Sequence, residues 1–225
     1  MATDAEQRSP LRERVPASAT LAAGAASPES TTPLRAELAR KAIHLGTAAL
    51  PVGWAFGWID TATLRMLLSA ALAVAICVEL ARFRLPRLEA AFTRAVGGLL
   101  RGREQRELTG ATWLAAAMCL VVWAVPMRSA LVALWAAAVG DASGALVGRS
   151  VQAWRGRGAG KSLTGTLAVG VATAAGALWL AGLTPAIAAV LGAVAAVAER
   201  PRRPLDDNLR VALAVALAAM LVGVG

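Results

Sequence analysis

Asp141 is the residue in this chain least explained by packing. It stands inside a strongly apolar stretch, 129–147, with Gly140, Gly144 and Gly148 repeating beside it at every fourth position. An acid at mid-membrane depth costs about 2.5–3.5 kcal/mol on insertion scales, so such a residue is a functional candidate by default. The glycines form a flat stripe on which a second backbone or a ligand can approach closely. The plainer reading of Asp141 is a partner for a buried arginine that serves helix packing.

Three further groups could do chemistry. Arg149 to Thr166 encloses Gly156, Gly158, Gly160, Lys161, Ser162 and Gly165. Backbone N–H groups and a lysine in such a turn can hold phosphate, and a helix that follows favours anions at its N-terminus. It is not a P-loop, because that spacing requires glycine at 155, where this chain has Arg. An ordinary basic loop has the same composition. Glu199, Asp206, Asp207 and Asn208 form an acidic group. Magnesium prefers carboxylate oxygens alongside substrate phosphates, so these residues and Asp141 could share one metal and nucleotide site. Asp206 also reads as a helix N-cap. Last, Arg40, Lys41 and the single histidine, His44, open the first apolar stretch, and Glu107, Thr109 and Gly110 open the third. His44 reads as structural or catalytic. Glu79 reads as the partner of a nearby arginine.

The elements that must position these residues are helices in a membrane. The chain has 225 residues, 57% of them hydrophobic, with a mean hydropathy of +0.59. Spans are expected at 43–59, 63–80, 111–127, 129–147, 163–182, 184–199 and 207–224, since crossing a bilayer takes about 17–25 apolar residues. The third is the weakest, cut short by Pro126 and Arg128. Very short turns near 127–129 and 182–184 imply antiparallel hairpins. Of the 23 Lys and Arg residues, 21 fall in the tail and in alternate loops, leaving only Arg65 and Arg128 for the other side. The positive-inside rule then places the N-terminus in the cytosol, and the alternation itself requires an odd number of spans. The expected fold is all-α: a polytopic bundle of about seven transmembrane helices.

Residues 1–35 carry no apolar periodicity and read as a disordered cytosolic tail, leaving 36–225 as one transmembrane domain. Within it, Leu85, Leu88, Phe92, Val96 and Leu99 share one helical face and Arg87, Arg94 and Arg101 the opposite one. The segment 85–101 is therefore an amphipathic helix suited to the membrane surface. The net charge of +9 and the pI near 11.4 would suit a nucleic-acid binder, but the basic residues lie between apolar spans, which argues against that partner. Cys77 and Cys119 both fall in apolar spans and read as buried packing residues rather than a disulfide.

Four blocks, in order, resemble the polyprenol, phytol and diacylglycerol kinase family, which includes the dolichol kinases. They are Arg-Lys-Ala-Ile-His at 40–44, Glu-Leu-Thr-Gly at 107–110, Gly-Asp-Ala-Ser-Gly-Ala-Leu-Val-Gly-Arg at 140–149 with Gly-Lys-Ser-Leu-Thr-Gly-Thr at 160–166, and Glu199 followed by Asp-Asp-Asn at 206–208. The likeness spans about residues 37–213, and its third block is the most specific. Thr164 stands where many relatives have Glu.

The resemblance implies transfer of a phosphoryl group to the hydroxyl of a lipid alcohol, with CTP commonly the donor and a divalent cation such as Mg²⁺ required. It implies metal ligands among Asp141, Glu199, Asp206 and Asp207. Phosphate and nucleotide contacts are expected from Arg149, Lys161, Ser162, Gly165, Arg40, Lys41 and Asn208. Asp141, His44 and Lys161 are the catalytic candidates, with Asp141 or His44 accepting the hydroxyl proton. Phosphoryl transfer demands little beyond metal, cations and in-line positioning, which such residues can supply. The composition, rich in Ala and Arg, suggests a bacterial plasma membrane with the site facing the cytosol. Phosphatidate cytidylyltransferases share part of the pattern but end in a histidine-containing block, and this chain has no histidine after His44. A small-molecule transporter is the rival from another class.

Overall fold

Alanine and leucine favour helix most among apolar residues, and here they are punctuated by helix-starting side chains. Asp60 accepts a hydrogen bond from the Thr63 amide at 2.9 Å, and Ser162 from the Gly165 amide at 3.0 Å. Thr109, Thr184 and Asp206 cap three more helices in the same way. The computed structural model describes residues 34–154, 162–200 and 205–225, all within one unit, Thr32–Gly225. Residues 1–33, which hold nearly all of the expected tail, and the segment 155–161 with Lys161 lie outside the described residues.

The described residues form helices and turns only. In chain order they are α1 (Leu34–Thr47), α2 (Ala49–Ala55), α3 (Thr61–Arg84), α4 (Pro86–Val96), α5 (Gly110–Ala124), α6 (Met127–Trp135), α7 (Asp141–Trp154), α8 (Leu163–Trp179), α9 (Pro185–Glu199) and α10 (Asp207–Leu221). Short 3-10 turns at Gly97–Leu99 and Gly102–Gln105 link α4 to α5. A π turn, Ala136–Gly140, joins α6 to α7 into one rod. Thr61–Arg84 and Met127–Val151 are long and apolar enough to cross a membrane, and α5, α8 and α9 are shorter apolar helices.

Proline sets several boundaries. Pro51 lacks the N–H that would bond the carbonyl of residue 47, and the first apolar stretch divides there into α1 and α2. Pro86 starts α4 just after α3 ends at Arg84, so Arg82, expected in a loop, is still helical. The amphipathic segment is helical over Pro86–Val96 and gives way to a 3-10 turn at Gly97.

The rod's α6 and π turn form the centre. Ala130, Val132, Ala133, Leu134 and Ala136 through Ala138 are fully buried, with α8 and α10 packed around them. Along the seam between α7 and α8, falling numbers on one helix meet rising numbers on the other, so the two run antiparallel. Gly148 faces Ser162 and Gly165, Gly144 faces Val169, Gly140 faces Thr173, and Trp135 covers Gly176. The glycine stripe beside Asp141 thus receives a helix backbone. Gly170 and Gly192 make the same kind of approach between α8 and α9, where a Cβ on Gly192 would stand 2.5 Å from the Gly170 carbonyl oxygen. Gly192→Leu is expected to destabilise the fold by about 1–3 kcal/mol through overpacking. Thermal unfolding of the purified protein would show it as a lowered Tm.

The bundle has an apolar core, but it also carries large apolar side chains on its outside and charged ones within, unlike a water-soluble domain. Met66, Leu67, Val74, Ile76 and Leu80 of α3 face outward, while Glu37, Lys41, His44, Glu79, Arg82 and Glu104 are buried. Cys77 and Cys119 are free thiols, Cys77 on the outer face of α3. At the end of the bundle away from the buried charges, Phe56, Trp58, Trp123 and Trp179 are exposed. There Arg65 donates to the Val122 carbonyl at the end of α5, and Arg128 to the Ala181 carbonyl past the end of α8, at 3.2 and 2.9 Å. Cations are favourable at helix C-termini, which gives both arginines of this end a local role.

Candidate functional site

Lys41 and His44 lie three residues apart on α1 and so share a helical face. That face packs against α7 and the π turn. The π turn inserts an extra residue immediately before Asp141, at the level of Lys41 and His44. Lys41 forms an ion pair with Asp141, and His44 Nδ1 lies 3.2 Å from the same carboxylate oxygen, off the line of a good hydrogen bond. Arg40 pairs with Glu37, whose carboxylate is also 3.4 Å from Arg149 Nη2. Arg40 further donates to the Leu99 carbonyl at 3.3 Å, tying α1 to the turn after α4. Burial, reinforced by the neighbouring charge of Arg101, lowers the Arg40 guanidinium to about 10.

Arg40, Lys41, His44 and Asp141 border a cavity of about 290 Å³ at one end of the bundle, while Glu37 and Arg149 stand behind Arg40, outside its lining. Its polar lining brings together Arg40, Lys41, His44, Asp141, Arg101, Glu104, Gly110, Asp206, Asp207 and Asn208, with Glu79, Thr109 and Thr112 beside them. Its apolar side is Ile43 of α1, Ala75 and Val78 of α3, Phe92 and Val96 of α4, and Leu99.

Arg82 organises the surroundings. It pairs with Glu79 and donates to the carbonyls of Glu104 and Glu107 at 3.0 and 2.6 Å, while Phe83 and Phe92 cover its guanidinium at 4.2 and 5.2 Å. Glu79 in turn accepts from the Thr109 amide and the Thr112 hydroxyl at 2.7 and 2.9 Å. One arginine thus fixes the end of α3, the start of α5 and the loop between them. Lysine keeps the charge but not the planar fork. Arg82→Lys is therefore expected to cost about 1–3 kcal/mol by leaving buried carbonyls unpaired. Chemical denaturation of the detergent-solubilised variant checks this.

Glu104 rather than Glu107 lies on the cavity. Its two carboxylate oxygens accept from the Gly110 and Arg101 amides at 3.2 and 2.9 Å. Glu107 turns to a separate surface hollow beside Arg103 and Trp113. Asn208 Nδ2 donates to the Gly110 carbonyl and to Asp206 at 3.2 and 3.0 Å, and its buried Oδ1 has no partner. Asp206 caps α10 and lies 3.3 Å from Arg103. Burial, then the charge of Asp207, raises its carboxyl above the usual range.

The four expected metal ligands do not form one cluster. No group of three or more His, Cys, Asp or Glu side chains suited to a metal occurs among the described residues. Glu199 lies off the cavity, accepting from Thr166 at 3.3 Å, and Asp141 is engaged by Lys41. Asp206 and Asp207 stand beside the unpartnered Asn208 oxygen, but Asp206 lies against Arg103 and Asp207 pairs with Arg210; Mg²⁺, which usually takes one or two carboxylates together with substrate phosphates, would have to displace those arginines.

Ser162 caps α8 and Gly165 packs on α7, both outside the cavity. Lys161 lies outside the described residues. Four contributors escaped the sequence: Glu37, Arg82, Arg101 and Glu104. Glu37 stands one helical turn before Arg40, the available signal for that pair.

No protein-family model, curated protein or solved structure matches the chain.

Proposed function

We propose that this chain is a seven-span membrane kinase that transfers the γ-phosphoryl group of a nucleotide, CTP by resemblance, to the hydroxyl of a lipid alcohol. The observation that carries the reading is the mixed lining of the cavity: cations, carboxylates and a histidine together with the hydrocarbon of Ile43, Ala75, Val78, Phe92, Val96 and Leu99. Such a site suits a reaction between a charged soluble donor and an apolar acceptor. The exposed apolar side chains of α3, the exposed aromatics at the far end and the uneven split of basic residues support the membrane setting, with the cavity on the cytosolic side.

In this reading His44 is the base. Its Nδ1 faces Asp141, leaving Nε2 for the proton of the attacking hydroxyl. The negative charge of Asp141 stabilises the charged form of the ring, and Lys41 balances Asp141. As the hydroxyl oxygen bonds to the γ-phosphorus, the bond from that phosphorus to the β,γ-bridging oxygen breaks and the nucleoside diphosphate leaves. Arg40, Arg101 and Arg149 hold the phosphates. Asp206 and Asp207, with Asn208 Oδ1, would hold Mg²⁺, which when bound neutralises phosphate charge.

Arg101→Ala removes a charge-assisted contact worth about 1.5–3 kcal/mol. It is expected to raise the nucleotide KM by about 10–100-fold with kcat less affected, as read in steady-state kinetics. The reading itself is tested by incubating proteoliposomes with Mg²⁺, γ-labelled CTP and a mixture of lipid alcohols, then extracting the lipid. Mg²⁺-dependent label in the organic phase supports it, and a label-free organic phase with folded protein contradicts it.

A further inference from the structure

The helices that flank the apolar side of the cavity are held by different partners. α1 packs on α7 and the π turn, and α3 packs on α5; α1 and α3 make no extended contact with each other. The cavity residues on their facing edges, Ile43 on α1 and Val78 on α3, are also 54% and 42% exposed on the outer surface. Side chains that border a cavity and the exterior at once mark an opening. Ala75, one turn from Val78, is the small residue of its rim. None of Ile43, Ala75 and Val78 carries charge or a hydrogen-bonding side chain.

α4 gives the second observation. It has no buried residue, yet Phe92 and Val96, one turn apart on a single face, border the cavity together with Leu99. The Phe92 ring is held against Arg82, and the turn after α4 is tied to Arg40 through the Leu99 carbonyl. The apolar face of α4 is therefore aimed at the cavity and fixed there by bonds to residues on α1 and α3.

We infer that the gap between α1 and α3, roofed by α4, is the site that takes the hydrocarbon chain of the acceptor. A long-chain alcohol slides in from the bilayer past Ala75, and its hydroxyl end reaches His44. The inference rests on the kinase reading for the hydroxyl's fate, but the chain site can be tested separately. His44 and Ile43 both line the cavity, so a hydroxyl at His44 brings the first carbons of its chain to the Ile43 rim. The neutral rim favours an uncharged chain over a phosphate-bearing lipid. α4 then becomes a wall of the substrate site as well as a surface anchor.

The test uses a C16 alcohol bearing a diazirine on its chain, photolysed with the full-length protein in phosphatidylcholine vesicles, with labelled peptides mapped by mass spectrometry. Labelling should concentrate on Ile43, Ala75–Val78 and Phe92–Leu99 and be competed by unlabelled hexadecanol. Ala75→Trp should reduce it by about tenfold or more. Ile76→Trp, one residue on but outside the cavity lining, should leave it unchanged and reports on folding. Labelling spread evenly over the outer face of α3, including Met66, Leu67 and Val74, or labelling insensitive to Ala75→Trp, would overturn the chain site even if phosphate transfer is observed. Localised, competed labelling without any phosphate transfer would uphold the chain site and reject the kinase.

Discussion

Asp141→Asn is expected to lower phosphoryl transfer by about 10²–10⁴-fold, the contribution of a well-placed general base and the group that supports it. The amide keeps nearly the same shape and can still accept a hydrogen bond from Lys41, so the helices have no steric reason to move, although the lysine charge left without its partner lowers stability. What disappears is the negative charge beside His44 Nδ1. A neutral neighbour does not stabilise the protonated ring. Nucleotide binding should change little, because Arg40, Arg101 and Arg149 are untouched. The measurements are kcat and KM alongside the elution profile and Tm of the variant. Wild-type turnover in a folded Asp141→Asn protein would remove Asp141 and the proposed role of His44 together.

The second large effect concerns stability. Lys41 and Asp141 are almost fully withdrawn from the surface, with side-chain exposures of 6% and 15%. Breaking a buried ion pair by deleting one member costs about 3–5 kcal/mol, because the remaining charge is stranded. Lys41→Met should show a loss of that size, since the His44 contact is poorly aligned and does not replace the lysine. Adding Asp141→Asn removes the stranded charge, and the double variant should recover stability relative to Lys41→Met alone. A coupling of about 1–3 kcal/mol is expected for such a contacting pair. Denaturant unfolding of all four proteins checks it, and additive effects would mean that the pair is not formed.

Helix content and the early end of the third apolar stretch were legible in the sequence, because Pro126 acts locally; the division at Pro51 and the helix start at Pro86 were not read. The gathering of 40–44, 110, 141 and 206–208 at one end was also accessible, since alternating short hairpins return each polar segment to the same side. The pairing of Lys41 with Asp141 was not. It arises from α1 packing on the rod and from the π turn that precedes Asp141, and Ala136–Gly140 has no local composition that announces an extra residue. Glu104 and Glu107 look alike in sequence, and an irregular 3-10 turn decides which one meets the cavity. Arg82 read as a loop residue because the apolar pattern ends before the helix does. Glu37 sits next to a polar tail, where nothing in the composition separates a buried acid from a solvated one.

The site's chemistry also explains why neighbouring activities are hard to separate by pattern alone. A kinase and a cytidylyltransferase both need cations on the phosphates, a metal and an apolar wall; they differ in which phosphorus is attacked. The most direct test is therefore to supply purified protein with Mg²⁺, a lipid alcohol and CTP labelled in separate tubes at the α or the γ phosphorus. Transfer of label to the lipid from the γ position alone is the expected result. Transfer from the α position would mean that the attacked phosphorus is the other one, and would contradict the kinase account.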